Sequence, residues 1–145
     1  MPAYDECRHA DIDAPPQACF DALTDYDRLP EWQGAVRAVR VLERDDDGQA
    51  TVVEYEVDAR VKTVRYRLRQ LPDAPHRLGS EYLGGDFRDF AGEWRFTPLD
   101  GGARTHVELE LRIDPGRLVP GPLRKVIAHA VMGRALDDLA RHLAT

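Results

Sequence analysis

The chain has 145 residues, 43% apolar and 32% charged, which points to one globular domain over residues 1–145 and away from disorder. A formal net charge of −6, with no basic excess, argues against a nucleic-acid partner. Two cysteines, Cys7 and Cys19, are too few for a disulfide framework, the five histidines lack metal spacing, and no run is apolar enough to span a bilayer.

The first ten residues carry Asp5, Glu6 and Arg8 and no apolar core, so they do not read as a secretory signal. A cytoplasmic protein with reduced thiols, no metal and no cofactor is the expectation. Residues 4–13 mix polar and apolar side chains without helical period and end at Pro15-Pro16, which predicts a first strand at a sheet edge. Pro16 can open a short helix through Leu23, and Asp25 can cap a second that ends near Trp32.

Extended structure resumes after Gly34. Residues 35–43 alternate loosely, and Asp45-Asp46-Asp47-Gly48 supplies turn chemistry. Residues 49–58 alternate, with Val53, Tyr55 and Val57 on one side and Glu54, Glu56 and Asp58 on the other. Residues 61–70 set Val64, Tyr66 and Leu68 against Arg65, Arg67 and Arg69, although Lys62 falls with the apolar set. A two-residue turn at Ala59-Arg60 would place Tyr55 opposite Val64, Val53 opposite Tyr66 and Glu54 opposite Arg65.

Two prolines break the pattern over residues 71–75, a strand follows over 77–83, and Gly84-Gly85 marks a tight turn or a bulge. Residues 86–98 and 103–113 read as a hairpin around Asp100-Gly101. That turn sets Trp94 against Val107, Phe96 against Thr105, Gly92 against Leu109 and Phe90 against Leu111, with Arg95 against His106 and Asp89 against Arg112 outside. The last stretch, 123–143, is helical behind Pro120 and Pro122. Its apolar stripe changes sides: Leu123, Val126, Ile127 and Ala130 share one face, while Met132, Leu136, Leu139 and Leu143 lie about half a turn away. Either a curved surface holds this helix or it bends near Gly133.

Strand, two short helices, six strands and a long helix describe an antiparallel meander that needs a cover on its apolar face. The fold class is therefore α+β: a strongly bent antiparallel sheet of about seven strands wrapped around a long C-terminal helix, with two short helices after strand 1.

At this point the chain resembles the START-like, helix-grip (START/Bet v 1-like) proteins of the SRPBCC superfamily, within them the polyketide cyclase/dehydrase and coenzyme-Q-binding group. The residues that carry the resemblance are Asp13-Ala14-Pro15, the run from Thr24 through Asp25, Tyr26 and Pro30 to Trp32, and Gly85-Asp86-Phe87-Arg88-Asp89-Phe90 with Gly92, Trp94, Phe96 and Pro98. The helix from Pro122-Leu123 to Leu139 completes it. The resemblance implies an internal cavity for a small hydrophobic molecule such as a lipid, an isoprenoid quinone or a polyketide. It implies peripheral membrane contact as a route for ligand exchange and leaves the oligomeric state open. A cyclase/dehydrase enzyme and a regulatory protein-interaction domain are the alternatives it carries, and it transfers no catalytic residue.

A pocket needs apolar and aromatic walls with a few polar anchors. The inner faces offer Val53, Tyr55, Val64, Tyr66, Phe90, Trp94, Phe96, Val107 and Leu109, and the helix adds Ile127 and Val131. Tyr55, Tyr66 and Tyr82 could offer hydroxyls, and Trp32 either lines an entrance or plugs one end of the core. Strict alternation puts Arg88 inside, opposite Glu81, as a paired polar anchor; a bulge at the glycines would turn both out, and the bulge is the favoured reading. His106, His129 and His142 sit on polar faces.

Overall fold

Alternation of apolar and polar side chains along the strands decides the architecture of the computed structural model, which describes residues 4–116, 119–132 and 134–144. In chain order the elements are β1 (Tyr4–Ile12), α1 (Pro16–Thr24), α2 (Leu29–Trp32), β2 (Val36–Arg44), β3 (Ala50–Asp58), β4 (Thr63–Asp73), β5 (Arg77–Gly85), β6 (Asp89–Leu99), β7 (Arg104–Asp114), α3 (Gly121–Met132) and α4 (Ala135–Leu143). The strands form one antiparallel sheet of seven in the order β1-β7-β6-β5-β4-β3-β2, so β1 is an edge strand.

The expected faces hold, but two registers differ by two residues. Tyr55 lies opposite Tyr66, Val53 opposite Leu68 and Glu54 opposite Arg67. The cause is a four-residue turn over residues 59–62, closed by the Ala59 N–H donating to the Lys62 carbonyl at 2.9 Å, with Arg60 at φ 71°. Lys62 therefore belongs to the turn and not to β4. In the same way Leu99 pairs with Arg104 around a 3-10 turn at Asp100–Gly102, so Trp94 faces Leu109, Phe96 faces Val107, Gly92 faces Leu111 and Phe90 faces Ile113. Arg95 accordingly faces Glu108, and Asp89 faces Asp114. A shift of two keeps every side chain on its face.

Other boundaries move for local reasons. Asp25 follows α1 and accepts the Arg28 N–H on its carbonyl at 3.1 Å, and α2 starts at Leu29 with Pro30 in its first turn. β4 runs on through Pro72, whose fixed φ suits extended chain. β5 bulges at Leu83, beside Gly84-Gly85: Arg67 pairs with Gly84 and Leu68 with Tyr82. Gly85 has φ 143°, and a Cβ there would run into the Arg65 carbonyl oxygen, so glycine is required.

The C-terminal helical element is divided. Arg134, at φ −121° and ψ 1°, is not helical and precedes α4; Gly133 and the Met132 side chain lie outside the described residues. α3 buries Ile127 and Ala128, while Leu123 and Val126 stay partly exposed. Ile127 joins one core cluster, with Val57, Val64, Tyr66, Phe87 and Phe90. Leu136 and Leu139 of α4 join another, with Cys19, Phe20, Phe96 and Val107. Each half of the stripe thus serves a different part of the sheet's interior, which accounts for its change of side.

Candidate functional site

Where the first cluster gives way to the second, side chains leave a cavity of about 110 Å³. The sheet supplies Tyr55, Tyr66, Leu68, Phe90, Trp94 and Leu109, while Leu23 of α1, Leu29 of α2 and Val131 of α3 close the other side. Period-two alternation puts these sheet residues on the inner face. Tyr66 sits among rings: Tyr55 at 5.5 Å, Phe90 at 5.0 Å and Phe87 at 5.3 Å between centroids. Gly92 lets Leu111 and Phe90 close over it, since a Cβ there would stand 3.0 Å from Leu111 Cδ2 and 3.2 Å from Phe90 Cε1.

Polar groups are few and placed. Gln70, only 7% exposed, occupies the inward position that continues Val64, Tyr66 and Leu68 along β4, and its Nε2 donates to the Tyr55 hydroxyl oxygen at 3.1 Å. Ser80 Oγ donates to the Gly92 carbonyl at 3.2 Å. At the end by the α3–α4 break, Gln33, Arg134 and Asp138 meet. Asp138 is 4% exposed; its Oδ2 accepts the Gly34 N–H at 2.9 Å, and Arg141 and Arg134 approach Oδ1 at 3.4 and 3.6 Å. A carboxylate this deep needs such pairing.

Burial raises the Tyr55 phenol well above its ordinary value, reinforced by the neighbouring Tyr26 and Tyr66, and burial likewise raises Tyr66. Both therefore stay neutral and can donate or accept hydrogen bonds near neutral pH. Among the described lining residues, Arg134 and Asp138 carry the remaining ionisable side chains. The arrangement can hold an apolar ring, meet one or two of its oxygens, and offer one carboxyl group at the rim.

The sequence-predicted wall residues divide. Tyr55, Tyr66, Phe90, Trp94, Leu109 and Val131 line the cavity. Val53 packs on Tyr26 and Leu29, and Val64 and Ile127 are spent in the first cluster. Phe96 and Val107 are spent in the second. Tyr82 gives its hydroxyl to the Phe87 carbonyl at 2.6 Å, outside the cavity lining. Trp32 stacks on His142 at 4.6 Å. Arg88, in the loop just before β6, is 55% exposed and 3.8 Å from Asp114, while Glu81 on the outer face of β5 pairs with Arg69 at 3.1 Å, so both face outward and Arg88 is not a cavity anchor. His106 lies on the outer face, with Nδ1 2.6 Å from Asp11 Oδ1.

Gln33, Gln70, Ser80, Arg134 and Asp138 were missed. Gln70 and Ser80 could have been found, because each interrupts an otherwise apolar inward set. Asp138 has no such signal: its burial depends on Gly34, 104 positions away.

Residues 12–140 match the family described as polyketide cyclase/dehydrase and lipid transport. No curated protein matches the sequence. Among solved structures, a START superfamily protein from Mycobacterium smegmatis superposes with a TM-score of 0.82 at 18% identity, over 96% of each chain. A Streptomyces aromatase/cyclase gives 0.80 at 18% identity, over 97% of this chain and 93% of that one. A Thermus thermophilus protein gives 0.76 at 22% identity, over 97% and 94%. At these identities the likeness is one of fold.

Proposed function

The chain belongs to the polyketide cyclase/dehydrase and lipid transport family, and on that footing we propose that it binds or carries a small hydrophobic molecule of the lipid, isoprenoid-quinone or polyketide kind in its internal cavity. The observation that carries this reading is the aromatic-walled cavity with a polar end at Gln70 and Tyr55. Its volume of about 110 Å³ is of the order of cavities of about 150 Å³ that take up benzene, and below the roughly 300–1,000 Å³ of larger ligand sites. One ring is the most that the conformation described can hold, and a longer occupant requires the wall to yield. Native mass spectrometry of the gently purified protein, followed by solvent extraction, tests this: a co-purifying apolar molecule is expected. Failure to find one, together with no binding from a panel of quinones, fatty acids and aromatic polyketides, would remove the reading.

A second reading, cyclisation or dehydration of a polyketide, draws support from Asp138 and two neutral phenols at one apolar cavity. Such chemistry asks mainly for folding of the substrate and one placed acid or base. Turnover of a poly-β-ketone thioester, reduced at least about tenfold in both Asp138→Asn and Tyr66→Phe with folding intact, would favour the enzyme. Binding without turnover would leave a carrier.

A further inference from the structure

β5 and β6 are successive strands of one hairpin, yet they pair only from Arg77 opposite Arg95 to Gly79 opposite Glu93. Beyond that point each strand is held by its other neighbour. The Asp86 N–H donates to the Arg65 carbonyl of β4 at 2.8 Å, and the Asp86 carboxylate accepts the Arg65 N–H at 2.8 Å. On the far side the Arg88 N–H donates to the Asp114 carbonyl of β7 at 2.8 Å. The sheet is therefore split along this seam toward the hairpin tip. Ser80 Oγ bonds the Gly92 carbonyl across the split, and Tyr82 Oη bonds the Phe87 carbonyl at the hairpin tip.

An outer depression of about 610 Å³ lies against the split, on the face of the sheet away from the helices. Gly79, Ser80, Gly92 and Leu111 line both this depression and the inner cavity. Two glycines and a serine make the wall there a single layer of chain, covered over Gly92 by the Leu111 side chain and the Phe90 ring. From this geometry we infer that the split between β5 and β6 is a side port through which a ligand reaches the cavity, with the Ser80 and Tyr82 hydroxyl bonds as its closures. Opening it asks for two side-chain hydrogen bonds, while the sheet on either side stays paired. The port also meets the demand that the wall yield for a guest longer than one ring.

This inference rests on the ligand-binding reading, and the test separates the two. The probe is 4-fluorophenol, one ring with one hydroxyl, followed by 19F exchange spectroscopy. Ala91 is exposed and lines the outer depression but not the cavity. In a Cys7→Ser, Ala91→Cys protein, with Cys19 buried beyond reach, alkylation with a pyrene maleimide covers the port from outside. Association and dissociation are both expected to slow at least about tenfold, with the dissociation constant held within about twofold, as for a blocked route. Tyr82→Phe, which frees the Phe87 carbonyl, is expected to speed both rates. Thr51→Cys, alkylated in the separate groove over Gln70, is the control and is expected to leave the rates alone. Unchanged rates after Ala91→Cys alkylation would overturn the port while binding stands. Slowing by the Thr51→Cys adduct instead would move the route to Gln70 and overturn it also. No binding of the probe to the unmodified protein would overturn the one-ring cavity reading, and the port with it.

Discussion

The two edges of β6 make a natural comparison. Toward β7 the ladder is continuous from Asp89 opposite Asp114 to Leu99 opposite Arg104, and behind it Phe96, Val107 and Thr105 are buried to 1% exposure or less. Toward β5 the ladder ends at Gly79 opposite Glu93, and behind it lies the cavity. Both edges carry alternating sequence. The difference comes from what the hairpin tip bonds to: Asp86 and Arg88 are captured by β4 and β7, so the strands they join are drawn apart. A pocket in this fold is made as much by backbone partners as by side-chain volume.

The largest expected effect breaks or keeps that comparison directly. Phe96→Ala empties a fully packed site and should cost about 3–5 kcal/mol of unfolding free energy. Phe90→Ala removes a ring that already borders open space, so less dispersion contact is lost and the cost should fall at or below about 3 kcal/mol. Urea denaturation of both variants measures this. A Phe90→Ala loss equal to or above that of Phe96→Ala would mean the β5 side is as tightly packed as the β7 side.

A second contrast concerns pH. Tyr26, Tyr55 and Tyr66 all have phenols raised by burial, on the β3–β4 side of the interior. An acid whose folded pKa exceeds its unfolded value, near 10 for tyrosine, contributes stability fully below pH 10 and loses it as pH rises beyond. Stability should thus fall above pH 10 by up to about 1.4 kcal/mol per pH unit for each tyrosine still protonated in the fold. Tyr55→Phe should flatten that slope, as alkaline titration followed by circular dichroism would show. An unaltered slope would place the Tyr55 hydroxyl in water.

How much of this was legible in the sequence depends on which link is asked about. Faces were legible, because alternation survives any shift of two; registers were not, because turn length depends on hydrogen bonds such as Ala59 to Lys62 that composition does not specify. The helix division left a trace in the stripe that changed sides. The cavity's aromatic wall was half legible: alternation selects inward residues but cannot say which inward residues meet each other and which meet space, so Val64 and Tyr66 looked alike. Arg88 was read inward by alternation and outward by the Gly84-Gly85 signal; it lies outward, because the alternation breaks in the loop between the buried Phe87 and Phe90. Asp138 was invisible, since its burial comes with the tertiary approach of Gly34, 104 positions away, beyond what the neighbouring Arg134 and Arg141 could signal.

Hydrogen exchange sharpens the seam comparison on a smaller scale. Amides at the β6–β7 ladder should exchange only through global unfolding. Amides of residues 80–83 on the edge facing β6 should exchange at least about tenfold faster, through local opening of the split. Equal protection across both edges would mean the split is closed in solution.

The smallest expected effect comes from an ion pair that joins the two strands at the end of the seam. Arg77 Nε stands 2.9 Å from Glu93 Oε1, joining β5 to β6 beside the final backbone pair. Arg77 is about half exposed, and exposed pairs contribute about 0–1 kcal/mol because water and salt screen them and ordering two long side chains costs entropy. Glu93 also keeps Arg95 at 2.8 Å, so losing Arg77 does not strand its carboxylate. Arg77→Ala should therefore change stability by no more than about 0.5 kcal/mol, with the 4-fluorophenol exchange rate nearly unmoved. If it instead costs more than about 1 kcal/mol and speeds exchange as Tyr82→Phe is expected to, then charge across the outer face holds the seam shut, and the hydroxyls of Ser80 and Tyr82 are secondary closures.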